Sequence, residues 1–259
     1  MLNTDWLELP ASPESLGNLK LVALWPGSGV RRNYTILYDP ARFASLWTAY
    51  AYTPSDSGSG QGSGWTQNPK IDDAYESSVT SSYESGAVYD RGHQIPNAVR
   101  NGNSARQAQT YYFTNSMPQI SSFNQNIWNN LETAERNCVS GTDTVYVVTG
   151  PVFQTVGGNE TVMTYKNVSN DNKILSVANY YYRVLLKVKR SSDGTITNAL
   201  AIGFWMPHTA DIAEKSYTSY VKSVSEIESY TGFDFFANLP DDLEATAESN
   251  TNWNTFNSF

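Results

Sequence analysis

The sequence predicts an α+β domain with a central, mainly antiparallel sheet flanked by helices. Three observations predict it. "DTVYVVTGPVF" and "YYYRVLLKVKR" are rich in β-branched and aromatic residues, as strands are. "SSDGTIT" reads as a turn that returns the chain into "ALAIGFWMP", which makes that pair antiparallel. "NQNIWNNLETAERN" and "SVSEIESYTGFDFF" carry apolar residues at helical spacing. One domain is the economical reading of 259 residues without an internal repeat.

The elements follow in chain order. Residues 1–30 include the Pro/Ser-rich "LELPASPESLGN" and read as an extended N-terminal segment. Residues 31–240 hold the expected domain. Within it "NYTILYDPARFASLWTAY" reads as a strand, a turn at Asp39-Pro40, then a second strand or short helix. "TPSDSGSGQGSGW" is a Gly/Ser loop expected to be mobile. "QTYYFTNSMPQ" reads as a strand stopping at Pro118. In "NQNIWNNLETAERN", Ile127, Trp128, Leu131 and Ala134 form an apolar stripe, and the preceding "SS" can cap. Gly150-Pro151 should end the strand "DTVYVVTGPVF", and Gly232 should end the last helix. Residues 241–259 form an acidic, polar tail expected to fray.

Composition excludes several classes. Apolar residues make up 40% and charged residues 16%, which suits a packed core and argues against general disorder. A formal net charge of -8 argues against a protein that coats nucleic acid by bulk charge, since that binding rests on Lys and Arg. It leaves room for an enzyme that grips one phosphate locally. A single cysteine, Cys138, allows no intrachain disulfide and reads as a packed thiol. No apolar run approaches the roughly 20 residues of a membrane-spanning helix. "MLNTDWLELP" lacks the pattern of a signal peptide, so export would need a signal removed before the present Met1.

The chemistry concentrates around "YDRGHQIPNAVR". The chain has two histidines, and His93 stands in Asp-Arg-Gly-His. Imidazole is the side chain best suited to act as a base at neutral pH. Arg91 offers a fork of donors suited to phosphate, and Asp90 could orient it or cap a turn. Gly92 permits a tight turn or a close approach. On a helix from Asn124, residues 124, 128, 131 and 132 share one broad face. Asn124 offers an amide oxygen acceptable to a hard cation such as Mg2+, and Glu132 could order the water around it. Glu135 lies on the same face, so spacing does not single out Glu132. His208, after a strand, reads as structural. The sequons at Asn33, Asn159 and Asn167 are patterns of the kind that arise by chance.

Together "DRGHQIP", "TNSMPQ" and "FNQNIWNNLE", in this order and spacing, resemble the DNA/RNA non-specific endonucleases, the Serratia-nuclease type with a ββα-metal (His-Me finger) site. The resemblance runs from about Asn33 to Phe236, through "YVVTGPVF", "YYYRVLLKV", "AIGFWMPH" and "SVSEIESYTGFDFF". It implies a β-hairpin meeting a helix at the metal site. It implies His93 as general base, Asn124 as the protein ligand of Mg2+ (or Mn2+ or another divalent cation), and Glu132 as the acid binding the metal's waters. Asn115 then positions His93 or the phosphate, and Arg91 lies near the substrate phosphate. The implied activity is hydrolysis of DNA and RNA, by a monomer or homodimer, in a secreted, periplasmic or cell-surface setting.

The chain departs from the pattern in two places. The family's arginine upstream of a tryptophan would fall at Ser63 or Gly64, before Trp65, and no arginine occurs between Arg42 and Arg91. Arg100 or Arg106 could substitute in binding substrate. Val99 stands where many relatives have Asp. Two alternatives follow: a catalytically weak relative that binds nucleic acid or another extracellular polymer, and a phosphodiesterase of narrower scope.

Overall fold

The computed structural model describes residues 6–62, 64–78, 89–153 and 171–259, together with the backbone of 163–166. Seven strands form one wholly antiparallel sheet. They are β1 (Lys20–Leu24), β2 (Tyr34–Asp39), β3 (Ala44–Tyr52), β6 (Val145–Val152), β9 (Tyr180–Arg190), β10 (Ile196–Pro207) and β11 (Val221–Lys222), side by side in that order. Two further antiparallel pairs stand apart from it. One joins β4 (Tyr89–His93) to β5 (Ser116–Ile120), the other β7 (Met163–Lys166) to β8 (Ile174–Val177).

Strand alternation sends side chains to both faces of the sheet, and each face is covered. On one face Tyr50, Val147, Tyr181 and Leu185 pack with Ile95, Met117, Phe123, Trp128 and Leu131. On the other Trp47, Val148, Tyr182 and Trp205 pack with Val224, Ile227, Phe235 and Ala247. Burying each large apolar side chain contributes roughly 1.5–3 kcal/mol, which makes these two cores the main support of the fold. The antiparallel strands β2, β3, β6, β9 and β10, and the helix ending at Gly232, match the reading of the sequence. That helix is α4 (Val224–Thr231), capped by Ser223.

Four expectations are corrected. The stretch "QTYYFTNSMPQ" is not one strand. It holds the end of a helix, α1 (Ser104–Gln109), a tight turn at Phe113–Asn115, and the start of β5. Asn103 caps α1, accepting from Arg106 N, and this starts the helix. β5 also runs two residues past Pro118, because a two-stranded pair leaves one side of each strand without need of an N–H donor. β6 likewise passes Gly150-Pro151 to Val152: pairing with β3 has ended at Thr149, so the proline deprives no partner on that side. Within the Gly/Ser loop, Gly58 N donates to Asn101 Oδ1 (2.8 Å) and Gly60 N to Asn101 O (3.0 Å). Finally, 241–259 does not fray. It forms α5 (Asp241–Glu248) and α6 (Trp253–Asn257), with Ala247 and Phe256 fully buried. Trp253 stacks on Phe256 at 5.8 Å and meets Phe204 edge-on at 5.7 Å. Two aromatic anchors outweigh the polar composition of that segment.

Candidate active site

β4 and β5 pair in register from Tyr89–Ile120 to His93–Ser116, and a helix leaves β5 directly. That helix starts as α2 (Ser121–Phe123), widens into a π-helical segment (Asn124–Trp128) and continues as α3 (Asn129–Asn137). Two strands and one helix thus hold the DRGH segment, Asn124 and Glu132 in a single unit.

The π segment changes the facing of the helix. Asn129 N–H reaches Asn124 O, five residues back. At about 100° per residue, eight α-helical steps would leave Glu132 about 80° round from Asn124. The wider turn absorbs one residue, so the offset falls to about 20°. Asn124 and Glu132 align better than regular spacing allows.

Asp90 holds Asn124. Its Oδ2 accepts from Asn124 Nδ2 (3.0 Å) and Gln125 Nε2 (2.9 Å), and its Oδ1 from Ser121 Oγ (2.8 Å). An ionised carboxylate only accepts hydrogen bonds, so it selects the NH2 end of the amide. Asn124 Oδ1 is left with no hydrogen bond among the described residues. The aspartate expected to orient Arg91 or cap a turn therefore orients the amide instead.

His93 ends β4 between two aromatic rings, Trp65 at 4.7 Å and Tyr111 edge-on at 5.4 Å. The residue is half-buried, but Nε2 is covered and has no hydrogen-bond partner. Burial pushes its pKa down to about 4, so the ring is neutral at pH 7. Gly92 is required beside it, because a Cβ there would meet Gln119 Oε1 at 2.1 Å. Arg91 lies over the Trp65 ring at 5.8 Å.

Asn115 is fully buried and its amide is committed to backbone. It accepts from Ile95 N (2.9 Å) and donates to Ile95 O (3.0 Å) and Thr110 O (2.8 Å), while its own carbonyl accepts from Gln94 N (3.0 Å). With both amide hydrogens in use, Asn115 shapes the chain just after His93 and offers no donor to a phosphate.

The two glutamates separate by depth. Glu135 is wholly buried, accepts from Tyr50 Oη (2.9 Å) and pairs with Arg183. The Glu132 side chain keeps 13% exposure and meets Arg183 Nη2 at 3.3 Å. Desolvation raises Glu132 to about 7, although Arg183 pulls the other way. Glu132 is thus the member that reaches solvent.

Arg100 and Arg106 are not at this site, which corrects their expected part in substrate binding. Arg100 is 1% exposed and donates to Asn33 Oδ1, Val99 O, Asn33 O and Ala51 O. Arg106 pairs with Asp56. Both serve a buried cluster in which Asp56 is the counter-charge. Asn33 is buried in the same cluster and cannot be a glycosylation acceptor. Asn159, Asn167 and Ser63 lie outside the described residues.

Sequence reasoning named Asp90 and Trp65 without these contacts, and it missed Tyr111 and Arg183. Tyr111 could be found only by its packing. Arg183 had a signal, a lone arginine within the apolar "YYYRVLLKV".

No cluster of three or more His, Cys, Asp or Glu that could hold a metal occurs among the described residues. The arrangement suits a hard ion that takes one amide oxygen and otherwise keeps water, as Mg2+ does. The freed Asn124 Oδ1 fits that need. Among the described residues no helix is long and apolar enough to cross a membrane.

Comparisons with known proteins agree with the geometry. Residues 19–242 match the DNA/RNA non-specific endonuclease family. A nuclease of Nostoc sp. is 30% identical over 85% of this chain and 77% of its own length. A nuclease of Serratia marcescens is 28% identical over 85% and 79%. In fold, the chain is similar to a chain of the crystal structure of the EndoG/EndoGI complex, with TM-score 0.64 and 20% identity over 85% of this chain and 90% of that one. The chain belongs to the DNA/RNA non-specific endonuclease family and is a metal-dependent endonuclease.

Proposed function

We propose that this protein hydrolyses phosphodiester bonds of both DNA and RNA with Mg2+, and that His93 is the general base. The observation that carries this reading is His93 Nε2: a neutral ring nitrogen, sheltered, with no partner of its own. A buried ring nitrogen without a partner costs about 1–3 kcal/mol, and a water to be deprotonated is a partner that would make use of it.

His93 Nε2 takes the proton from a water aimed at phosphorus. Arg91 offers donors to the phosphate oxygens, where charge grows during the reaction. Asn124 Oδ1 would hold the ion directly, and Glu132 would order the surrounding water. Held there, an ion would supply positive charge where the phosphate and the departing oxygen become more negative. Asn115 keeps the chain after His93 in place. The acidic overall charge agrees with this reading, because an ion brought to the site replaces part of a basic groove. Unrestricted cutting of nucleic acid would harm the producing cell, which supports action outside the cytoplasm.

The test is a gel assay on plasmid and total RNA, with Mg2+ or EDTA, for wild type and His93→Ala. Metal-dependent cutting of both substrates, lost in the variant, is expected. Binding without cutting under every divalent ion would overturn the reading in favour of a weak, binding relative. Equal rates on dinucleotides and long duplexes would instead favour a narrower phosphodiesterase.

A further inference from the structure

Arg183 is wholly buried on β9, and burying a guanidinium is costly unless it is paired. One carboxylate, Glu135, already neutralises it through Nη1. Its other arm goes elsewhere. Nη2 reaches Glu132 Oε1 and Gln94 O, both at 3.3 Å. Nε is left without a partner, so the group is not arranged to satisfy itself. The Trp128 ring lies 4.7 Å from the guanidinium and limits how it can turn.

Gln94 follows the general base directly, and Glu132 is the acid of the water shell. The peptide after His93 is therefore gripped from two sides: Asn115 binds Gln94 N and the Ile95 backbone, and Arg183 binds Gln94 O. We propose that Arg183 is a positioning residue that ties the base-bearing strand end to Glu132, so that the two halves of the site keep one spacing. The inference rests on the roles given above to His93, Asn124 and Glu132. A fork is needed for this, since one planar group must reach three acceptors in different directions. Lysine carries the charge without the fork.

The test compares wild type with Arg183→Lys by kcat, KM and Mn2+ affinity, the last read by EPR titration independently of turnover. Arg183→Lys should fold, lower kcat about 10–100-fold and weaken Mn2+ about tenfold, as losses around a metal site typically do, with KM little changed. Wild-type kcat and Mn2+ affinity in Arg183→Lys would overturn the inference. So would a loss of activity matched by an equal loss of folded protein. Should the lysine variant fail to fold, Arg183→Met with Glu135→Leu removes the pair without leaving a lone charge, and the same losses are expected. Asn124→Ala separates the two readings. If wild type and Asn124→Ala both fail to bind Mn2+, the proposed site falls and this inference with it. If only Asn124→Ala fails while Arg183→Lys binds normally, this inference alone falls.

Discussion

The surroundings of the two histidines differ in one respect that matters. Both rings are pushed by burial to a pKa of about 4, and both stand among aromatic side chains. His208 has both nitrogens occupied: Nε2 accepts from Ile120 N (2.8 Å), so Nδ1 carries the hydrogen and donates to Ala178 O (2.9 Å). His93 has Nε2 with nothing to bind. A shifted pKa therefore does not distinguish a base from a brace; the ring nitrogen without a partner does. A similar contrast separates two acids. Glu132 is half-buried beside Arg183, whereas Glu248 is buried near Glu228, Glu244 and Asp234, and desolvation together with those acids raises it to about 9. The cation keeps Glu132 closer to ionisation at neutral pH.

The sharpest test of the histidine comparison is His93→Ala. It should lower kcat about 10²–10⁴-fold, the usual worth of a general base, with the melting temperature little changed. A variant that unfolds would make His93 a brace like His208. Next comes Asp90→Ala, which frees the Asn124 amide to turn. A loss of about 10–100-fold is expected, with more Mg2+ needed for half-maximal rate. Unchanged Mg2+ dependence would show that Asp90 does not hold the ligand.

His208→Ala should do the reverse of His93→Ala. It leaves Ile120 N without its acceptor and should cost roughly 1–3 kcal/mol in denaturant unfolding, with kcat per folded molecule kept. Acid should expose the same role. Because the folded pKa lies below the unfolded 6.5, the unfolded state binds the proton first, and stability falls as pH drops from 6.5 towards 4. Melts of His208→Gln should be less acid-sensitive over that window. The rate profile separates the groups again. His93 is already neutral well above pH 4, so an acid limb higher than that belongs to Glu132, and Glu132→Gln should remove it.

The last test concerns Glu248, away from the site. Its folded pKa of about 9 exceeds the ordinary 4.5, so the fold retains a proton that the unfolded chain releases, and stability falls as pH rises between those values. Glu248→Gln should raise the melting temperature at pH 8 and leave it unchanged near pH 4.5. Destabilisation at pH 8 would show that the carboxylate is stabilised by a partner.

Much of the molecule was legible in one dimension. Strand alternation, the hairpin turn and the helical stripes are local consequences of side-chain periodicity, so they predict the antiparallel sheet and its flanking helices. The order of DRGH, Asn115, Asn124 and Glu132 is a chain property, and it marked out the candidate site. Other features needed three dimensions. A glutamate at 132 or 135 fits the same helix face; only depth beneath Tyr50 and Arg183 separated them. Arg100 and Arg106 looked free to bind phosphate until Asp56 and Asn33 were found beside them. Trp253 and Phe256 turned a polar tail into packed helix. The sequence determined which chemical groups are available and which local shapes carry them. Tertiary structure decided which groups are already satisfied, because hydrogen-bond partners and burial come from residues distant in the chain, and an unsatisfied group is the one left to react.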